Sequence, residues 1–582
     1  MSAPLESAIV HHLVTKRQIK LSTQIDLLVR GGTVFDGTGR PGYRADIAVV
    51  AGRIWEVGTL SGAHARAEVD AAGRYVVPGF IDTHMHGDAL IGDPALQLAV
   101  LRQGVTTVVL GQDGLSFAPT TSAALLWVSR YFCAVNGTQA RQPERFLGYE
   151  AGPEFAEPAG RRHISALSLE VVHTRPTRSC DPAQTPPPGL TVAELLSGYH
   201  RTTAVNTVYL VPHGTVRYSV MGGSPKPPDT EQLAAMVRLV EEGIEQGAAG
   251  LSSGLGYLPG RFATADELAA VCRPAARRGL PYVTHMRGYG ETAALGMTEA
   301  GAIGRQAGVP VHISHYHGPG ARLINLVDAA LAVGVDLTYD TYPYLRGCSI
   351  LAGMLPDWLA NADLDHTLDL LRERAVRQRL ASETCPSLWG RLTLAHVPGR
   401  QYGWAVGMRL VEAARLAGVG PADFYAEVLV DTALCAGVVF DFPDTEDSLR
   451  ELLRHSAHMG GSDGIYVGGR PHPRGYGTFA RLLRRYVREL SDWTWEQAVE
   501  HLAARPARRF RLRDRGTIAR GQAADLAVID PATVCDHATY AHPRLLATGI
   551  DDVIVAGVPV LANGRLTGQL PGTTLRPYQK TL

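Results

Sequence analysis

Apolar and polar positions follow two different patterns along the chain. From about Asp26 to Arg74, short alternating runs such as ADIAVVAGRIWEVG are separated by Gly pairs and Asp-Gly turns, which is typical of a small β unit. A similar unit returns in GTIARGQAADLAVID and DDVIVAGVPVLANGRL. Because each unit is too small to hold a core alone, we expect residues 24–76 and 513–572 to build one composite β-sandwich domain.

Between these units, strand-like apolar runs alternate with helical stretches such as DTEQLAAMVRLVEEGIEQG. The runs have the near-continuous apolar character of parallel strands that are covered by helices. They are YVVPGFID, VTTVVLG, VNTVYLV, AAGLSSGL, PYVTHM, VPVHIS, GVDLTYD and AHMGGSD. This pattern predicts an α/β fold, a (β/α)8 TIM-like barrel over residues 77–512.

Two segments interrupt the barrel pattern. Residues from about 152 to 189 are Pro-rich and have no period, so we expect an irregular insertion there. Residues from about 351 to 453 contain helical patterns such as DHTLDLLRERAVRQRL and are far too long for a plain connection. They predict a lid or a small inserted subdomain.

Composition adds a cellular context. The net charge of +0 and the apolar fraction of 45% give no reason to expect a nucleic-acid or membrane partner. Seven scattered cysteines without a CxxC pair fit reduced thiols better than a disulfide framework. The first twenty residues lack an unbroken apolar run, and no later run reaches ~18 apolar residues. We expect a cytoplasmic protein that acts on a small molecule, with a homo-oligomer left open.

Candidate chemistry begins in VVPGFIDTHMHGD, where a strand-like run ends in His84 and His86. Residues i and i+2 of a strand point to the same side, so both rings face the barrel axis if either does. Active sites of such barrels lie at the carboxyl ends of the strands. Two imidazoles there suit a divalent metal such as zinc; the alternative is one packed and one exposed histidine.

Other predicted strands end in similar residues. PYVTHMR ends at His285, VPVHISH at His315 and HMGGSDG at Asp463. Alternation places His312 on the face opposite to His315, which predicts an outward, structural His312. His213 in LVPHGTVR also follows a strand end, where it could polarise a carbonyl, orient a ligand or make a structural hydrogen bond.

The motifs PGFIDTHMH, THMR, ISH and GSDG resemble the amidohydrolase superfamily. LSSGLGYLPGRFA and GSDGIYVGGRPHPRGYGTFARLLRRYVRE resemble its N-acyl-D-amino-acid deacylase (D-aminoacylase) branch, and the likeness spans nearly the whole chain. The resemblance implies a metal-dependent hydrolase with a barrel and a flanking β-sandwich. Its substrates would be N-acylated D-amino acids, cleaved at the linear amide into a carboxylate and a free D-amino acid.

The resemblance also implies roles for the strand-end residues. His285 and His315 correspond to ligands of the tighter metal, and the pair His84 and His86 to ligands of a second, weaker one. Asp463 takes the place of the general acid/base. A metal lowers the pKa of water toward ~7, while a carboxylate delivers the proton that an amine leaving group needs.

At one position the sequence differs from the pattern of the D-aminoacylase branch. VTTVVLGQDGLSFAP has Asp113 where relatives commonly have a cysteine ligand. An aspartate can bridge two metals, so we expect Asp113 to be a ligand; the alternative is that it caps a turn. As a harder ligand than thiolate, it could shift preference from Zn²⁺ toward Mn²⁺, Co²⁺ or Fe²⁺.

The substrate's free carboxylate needs a cation. Arg474 in RPHPRGYG corresponds to the residue that clamps it in the branch; a surface salt bridge is the alternative. Tyr342, Tyr344 and Ser349 are similar candidates for hydroxyl contacts. His317 stands where the branch often has lysine, which bears on affinity for the carboxylate and on the preferred side chain or acyl group.

Two other functions compete with deacylation. A cyclic-amide hydrolase of the hydantoinase or dihydroorotase kind shares the barrel and the ligand order, but usually carries a carboxylated lysine on strand 4, where AAGLSSGL has none. A non-catalytic barrel scaffold that has lost its metals is supported only by Asp113.

Overall fold

The computed structural model describes residues 24–137 and 189–577 of the 582-residue chain. Its strands, in chain order, are β1 (Ile25–Val34), β2 (Tyr43–Val50), β3 (Arg53–Gly58), β4 (Ala65–Asp70), β5 (Tyr75–Pro78), β6 (Phe80–Asp82), β7 (Met85–His86), β8 (Val105–Leu110), β9 (Asn206–Tyr209), β10 (Val211–Pro212), β11 (Leu251–Gly254), β12 (Tyr282–His285), β13 (Val311–Ile313), β14 (Leu337–Thr341), β15 (Arg346–Ile350), β16 (Leu392–His396), β17 (Gly437–Asp441), β18 (His458–Gly460), β19 (Gly464–Ile465), β20 (Leu526–Ile529), β21 (Ile550–Val555), β22 (Val558–Ala562) and β23 (Arg565–Leu566).

The α-helices, in chain order, are α1 (Pro94–Leu101), α2 (Ser122–Tyr131), α3 (Cys133–Asn136), α4 (Val192–Tyr199), α5 (His213–Met221), α6 (Thr230–Glu245), α7 (Ala265–Arg277), α8 (Ala293–Ala307), α9 (Gly320–Ala332), α10 (Leu364–Arg372), α11 (Arg374–Glu383), α12 (Pro386–Arg391), α13 (Leu410–Ala417), α14 (Pro421–Asp431), α15 (Glu446–Arg454), α16 (Arg474–Arg481), α17 (Trp495–Val499) and α18 (Arg505–Arg509). Two further helical stretches, Leu482–Glu489 and Glu500–Ala504, have π-type hydrogen bonding.

Strands from both ends of the described chain pair in one nine-stranded sheet. Its order is β23-β22-β21-β20-β5-β1-β2-β3, with β4 beside β1. The two ends meet where β5 runs antiparallel to β20, with Tyr75 opposite Ile529 and Pro78 opposite Leu526. Neither end could bury its apolar face alone, and here both contribute to one core. That core includes Leu27, Val29, Ile47, Val76, Leu526 and Val528.

Apart from β15, β16 and β17, the strands between these ends pair in parallel. One group has the order β6-β8-β9 and the other the order β10-β11-β12-β13-β14-β18, with β9 and β10 separated by one residue. The first and last strands also meet, because the backbone N–H of Thr83 donates to the carbonyl of Gly460 at 3.2 Å and β7 pairs with β19. The carboxyl ends of all these strands therefore gather at one end of the assembly.

Side chains from successive parallel strands pack into one inner cluster. It contains Ile81, Val109, Val208 and Val283 from the strands, Leu210 between β9 and β10, and Phe510, which follows α18. Helices cover the opposite faces: α6 starts with a capping box between Asp229 and Gln232 and buries Met236, Val240 and Ile244 along one side. The strands are apolar on both faces because both are covered.

Residues between β15 and α15 form a separate small unit. It contains the antiparallel sheet β15-β17-β16 and the helices α10 to α14. A disulfide joins Cys133 of α3 to Cys435, just before β17, with the Cα atoms 5.8 Å apart. The prediction of reduced thiols is therefore wrong for this pair, because a separation of 302 residues leaves no local sequence signal.

Two of the sequence predictions concern residues that the structure does not describe. The irregular insertion at about 152–189 and the polar first twenty residues lie outside the described residues, apart from Gly189. Within residues 24–137 and 189–577, no helix combines the length and the apolar character that crossing a bilayer requires.

Candidate active site

Six predicted side chains converge where the parallel strands end. We call them the donor cluster: His84, His86, Asp113, His285, His315 and Asp463. They come from the bend between β6 and β7, from the end of β7, from the turns after β8, β13 and β18, and from the end of β12. All are buried or nearly so, and the His285 side chain, at 19%, is the most exposed.

The nitrogen and oxygen atoms of these side chains face one another at metal-ligand spacing. His84 Nε2 and His86 Nε2 are 3.3 Å apart, and His285 Nδ1 and His315 Nε2 are 2.9 Å apart. Two ligands on a tetrahedral ion at ~2.0–2.1 Å lie about 3.3 Å from each other. The histidine pairs therefore fit the spacing of ligands to a common ion.

Asp113 lies between the two histidine pairs. Its Oδ1 is 3.6 Å from Nε2 of both His84 and His315. Its Oδ2 is 3.6 Å from His86 Nε2 and 3.7 Å from His285 Nδ1. One carboxylate thus faces four imidazoles.

Two overlapping triads in the cluster have ligand atoms that all lie within 4.8 Å of one another. The first is His84, Asp113 and His315, and the second is His84, His86 and Asp463. Oδ1 of Asp113 is buried without a hydrogen-bond partner among the described residues. A buried, unpaired carboxylate oxygen surrounded by imidazoles fits a site for one or two divalent cations.

Three members of the donor cluster have left-handed backbone. The φ angles are 54° at Asp113, 37° at His315 and 49° at Asp463. Such conformations cost roughly 1–2 kcal/mol for residues other than glycine, although Asp and Asn tolerate them best. The left-handed turns therefore direct these three side chains into the cluster. Their directions cannot be obtained from the alternation of side chains along a strand.

Opposite charges set the protonation of the cluster. Burial would raise the pKa of Asp113, but the charge of His84 and the neighbouring imidazoles of His285 and His315 hold that pKa well below its usual range. Burial would lower the pKa of His86, but Asp113 and Asp463 raise it to about 10.

Arg474 is fully buried beside the cluster. Its Nη2 donates to Asp463 Oδ2 at 2.8 Å and to the carbonyl of Cys348 at 3.3 Å. Its guanidinium lies 4.5 Å from the ring centre of Tyr342, and its Nε and Nη1 have no hydrogen-bond partner in the part of the chain that the structure describes. The surface salt bridge considered from the sequence is therefore wrong. Two unused buried donors point instead to a ligand with oxygen acceptors.

Comparison with known proteins decides the family. The model of the amidohydrolase family matches residues 67–561. The chain belongs to the amidohydrolase family.

Its full-length relatives include a D-aminoacylase of Alcaligenes xylosoxydans xylosoxydans, 33% identical over 95% of this chain and 98% of that protein. An N-acyl-D-glutamate deacylase of the same organism is 33% identical over 96% and 97%. A crystal structure of N-acyl-D-glutamate deacylase from Bordetella bronchiseptica, complexed with zinc and a phosphonate inhibitor, superimposes with a TM-score of 0.74. It is 29% identical and covers 95% of this chain and 100% of that one.

Two other predicted binding residues of this amidohydrolase, Tyr342 and Tyr344, lie against different arginines. The Arg474 guanidinium lies over the ring of Tyr342 in a cation–π contact, and the contact of the Tyr342 hydroxyl with substrate stays a prediction. The Tyr344 ring lies instead against Arg481 at 5.0 Å, with its hydroxyl buried and without a hydrogen-bond partner among the described residues. Tyr344 is thus not brought to the donor cluster by these contacts.

Ser349 has a partner that the sequence did not reveal. Its hydroxyl lies 2.7 Å from the hydroxyl of Tyr257, whose ring packs 4.9 Å from that of His285. Tyr257 follows β11 in a segment without a strand-end histidine or acid, so only the three-dimensional contact identifies it. The pair forms a second polar edge of the site, next to the carbonyl that Arg474 contacts.

His317 is held between two aromatic rings. Its ring centre lies 4.9 Å from that of Tyr289 and 3.8 Å from that of Phe442, with nearly parallel planes. Its Nδ1 donates to the carbonyl of His315 at 2.8 Å. Burial lowers the pKa of His317 to about 3, so this ring is neutral where related deacylases often have a lysine.

His213 makes contacts away from the donor cluster. Its Nε2 lies 2.9 Å from Glu267 Oε1, and Arg217 Nε donates to the same oxygen at 3.1 Å. These contacts match the structural hydrogen bond considered from the sequence. The predicted catalytic role of His213 has no supporting contact among the described residues.

Asp340 and His312 complete the surroundings of the cluster. The prediction that His312 points outward is wrong: its Nε2 lies 2.8 Å from Asp340 Oδ2, which in turn is 3.6 Å from His84 Nδ1. The left-handed φ at His315 breaks the alternation from which the outward direction was counted. Asp340 is the last residue of the run GVDLTYD, and no second acid or histidine beside it marked it as part of the site.

Proposed function

We propose that this amidohydrolase cleaves the amide bond of N-acyl-D-amino acids and releases a carboxylate and a free D-amino acid. The observation that carries the proposal is the Arg474 guanidinium, fully buried, 2.8 Å from Asp463 and with two unused donors beside the donor cluster. A substrate with a free carboxylate next to its amide would satisfy those donors. Full-length relatives named D-aminoacylase and N-acyl-D-glutamate deacylase support the linear amide and the D configuration.

A divalent metal fits the donor cluster, and we propose Zn²⁺, in one or two ions. His285, His315 and Asp113 would hold one ion, and His84 and His86, with Asp113 shared, a second. When bound, the metal polarises the amide carbonyl and lowers the pKa of water. The oxygen ligand Asp113 makes Mn²⁺, Co²⁺ or Fe²⁺ more acceptable than a thiolate would.

Side chains of the protein transfer the proton and bind the substrate. Asp463 accepts a proton from the attacking water and delivers it to the amide nitrogen, so that the amine leaves as a neutral group. Arg474 binds the carboxylate of the substrate, with Tyr342 stacked against the guanidinium. Ser349 contributes a hydroxyl next to the Cys348 carbonyl that Arg474 contacts. Because His317 lies between the rings of Tyr289 and Phe442, with Nδ1 bonded to the carbonyl of His315, we propose a preference for uncharged substrate side chains over acidic ones.

The fold proposal follows the strand pairing. We propose that β6, β8, β9 with β10, β11 to β14 and β18 make a closed (β/α)8 barrel over residues 77–512, with the unit at about 351–453 inserted into it. Residues 24–76 and 513–572 would form the flanking β-sandwich. A cytoplasmic location and a homo-oligomer stay predictions from the sequence.

Cyclic-amide hydrolysis has less support. The middle of β11, where such relatives carry a carboxylated lysine, is occupied by Ser252 and Ser253, whose hydroxyls bond to the carbonyl of Gly111 and to Tyr282 and Thr284. We propose that Asp113 takes the bridging role instead.

Amine release from matched N-acetyl-D- and N-acetyl-L-amino acids tests the proposal. We expect release from the D isomers alone, in protein loaded separately with Zn²⁺, Mn²⁺ or Co²⁺, and more from N-acetyl-D-leucine or -methionine than from N-acetyl-D-glutamate. Protein that carries metal but opens only hydantoin or dihydropyrimidine rings would contradict deacylation. Protein that binds no metal would favour the scaffold.

Arg474→Lys tests the carboxylate clamp. A lysine keeps one charge but loses the planar pair of donors, so we expect KM for the D substrate to rise about 10- to 100-fold, as for loss of a charged hydrogen bond of ~1.5–3 kcal/mol. The change in kcat should be much smaller. Arg484→Lys, whose arginine pairs with Asp536 away from the cluster, is the matched control. An unchanged KM in Arg474→Lys would remove the clamp from the proposal.

A further inference from the structure

The carboxylate of Asp340 lies directly behind the donor cluster. It is fully buried near the end of β14. Its Oδ1 accepts the backbone N–H of His315 at 2.8 Å, and its Oδ2 is 2.8 Å from His312 Nε2 and 3.6 Å from His84 Nδ1. One carboxylate thus reaches two members of the donor cluster that come from different strands.

The two ring nitrogens of His84 face opposite sides. Nε2 faces the donor cluster, 3.3 Å from His86 Nε2, while Nδ1 is buried and faces Asp340. An anion beside Nδ1 favours the tautomer that carries its proton there, which leaves the Nε2 lone pair for a metal. The separation of 3.6 Å is about 0.7 Å longer than an ordinary hydrogen bond, a gap that a small rotation of the ring can close.

The second contact of Asp340 is with the backbone N–H of His315. His315 follows β13 with a φ of 37°, an unfavourable conformation for a histidine. Its N–H is fixed by Asp340 Oδ1, and the N–H of Tyr316 donates to the backbone carbonyl of Asp340 at 2.7 Å. These two bonds hold the turn that directs His315 into the cluster.

His312 and Thr338 in turn hold the carboxylate. His312 Nε2 donates to Asp340, and His312 Nδ1 lies 2.9 Å from the hydroxyl of Thr338. Burial lowers the pKa of His312, so its ring is neutral and Nδ1 accepts the hydroxyl proton. The pair spans β13 and β14, which fixes Asp340 in one orientation.

We propose that Asp340, oriented by His312, is the positioning residue that aims both His84 and His315 at the metal. This role rests on the proposed function only in requiring a metal. His86 has a weaker counterpart, since its Nδ1 meets the neutral amide oxygen of Asn136 at 3.1 Å. The anionic support is directed at His84, the histidine that belongs to both metal-ligating triads.

Asp340→Asn is the direct test, with metal affinity as the readout. The asparagine keeps the shape but offers an N–H₂ group to one of the partners that require an acceptor. We expect the affinity for Zn²⁺ and Co²⁺, measured by competition with a chromophoric chelator, to fall about 10- to 100-fold. The d–d absorption of the Co²⁺ protein should change shape, since the position of the ligands changes.

Two further variants separate positioning from folding. His312→Gln keeps a donor to Asp340 and should bind metal within about threefold of wild type, whereas His312→Leu should weaken binding about three- to tenfold, toward the lower end of effects from supporting residues. If Asp340→Asn does not fold, this pair still decides the proposal. Asp525→Asn removes a buried carboxylate that bonds Arg515 and Asn206 far from the cluster, and should leave metal affinity unchanged.

The outcomes for Asp340 and for the proposed function are distinct. Equal metal affinity in wild type and folded Asp340→Asn, or in His312→Gln and His312→Leu, would overturn the positioning role alone. A wild type that binds metal with high affinity but releases no amine from any N-acyl-D-amino acid would overturn the proposed function and leave the role of Asp340 intact. A wild type that binds no metal would overturn both.

Discussion

Replacing Asp463 with asparagine should lower kcat for an N-acyl-D-amino acid about 10²- to 10⁴-fold, the usual contribution of a general acid/base. Asparagine cannot take the proton from water or return it to the amide nitrogen. It does keep an oxygen for Arg474 Nη2, 2.8 Å away, and it tolerates the φ of 49° at this position. The loss should therefore appear in kcat, with little change in KM.

Metal content must be measured together with the rate for this variant. Asp463 Oδ1 lies 3.3 Å from His86 Nε2, close enough to be a ligand as well as a base. Asp463→Asn with full metal and low kcat assigns the proton transfer to Asp463. A loss of one metal with little loss of rate would make Asp463 a ligand instead. Asp536→Asn, which removes a buried partner of Arg484, is a control for loss of a buried aspartate.

Sequence reasoning located the donor cluster because the cluster is built from strand ends. Each apolar run could be recognised locally, and the residue after it lies at the common edge of parallel strands whichever neighbours the strand has. His285 and Asp463 could therefore be found without any knowledge of pairing. The pair His84 and His86 needed only strand geometry.

Partners that depend on three-dimensional contacts could not be found in this way. Asp340 is an isolated acid at the end of the run GVDLTYD, and its contacts with His312 and His315 appear only when β14 lies beside β13. The direction of His312 was wrong because alternation was extended through His315, whose φ is positive. Tyr257 and the bond between Cys133 and Cys435 join segments distant in sequence, for which a single sequence carries no signal.

The largest effect on metal binding is expected at Asp113. Asp113→Ala removes both oxygens that face the four histidines at 3.6–3.7 Å, so the cluster would lose its central anion. We expect at least one metal to be lost on dialysis and activity to fall by about 10²-fold or more, since a missing ligand costs more than the 10- to 100-fold of a supporting residue. Metal analysis after dialysis, together with the rate, measures both.

Asp113→Asn and Asp113→Cys identify the reason for that loss. Asparagine adopts the left-handed turn at φ 54° as readily as aspartate but has no charge, so metal loss in Asp113→Asn would come from the missing anion and not from backbone strain. Cysteine restores an anionic ligand of the type common in related deacylases, and should raise the preference for Zn²⁺ over Mn²⁺. If Asp113→Ala kept its full metal content, Asp113 would not be a ligand. The four histidines would then have to hold the metal without a bridging anion, and the choice between Zn²⁺ and Mn²⁺ would not depend on this position.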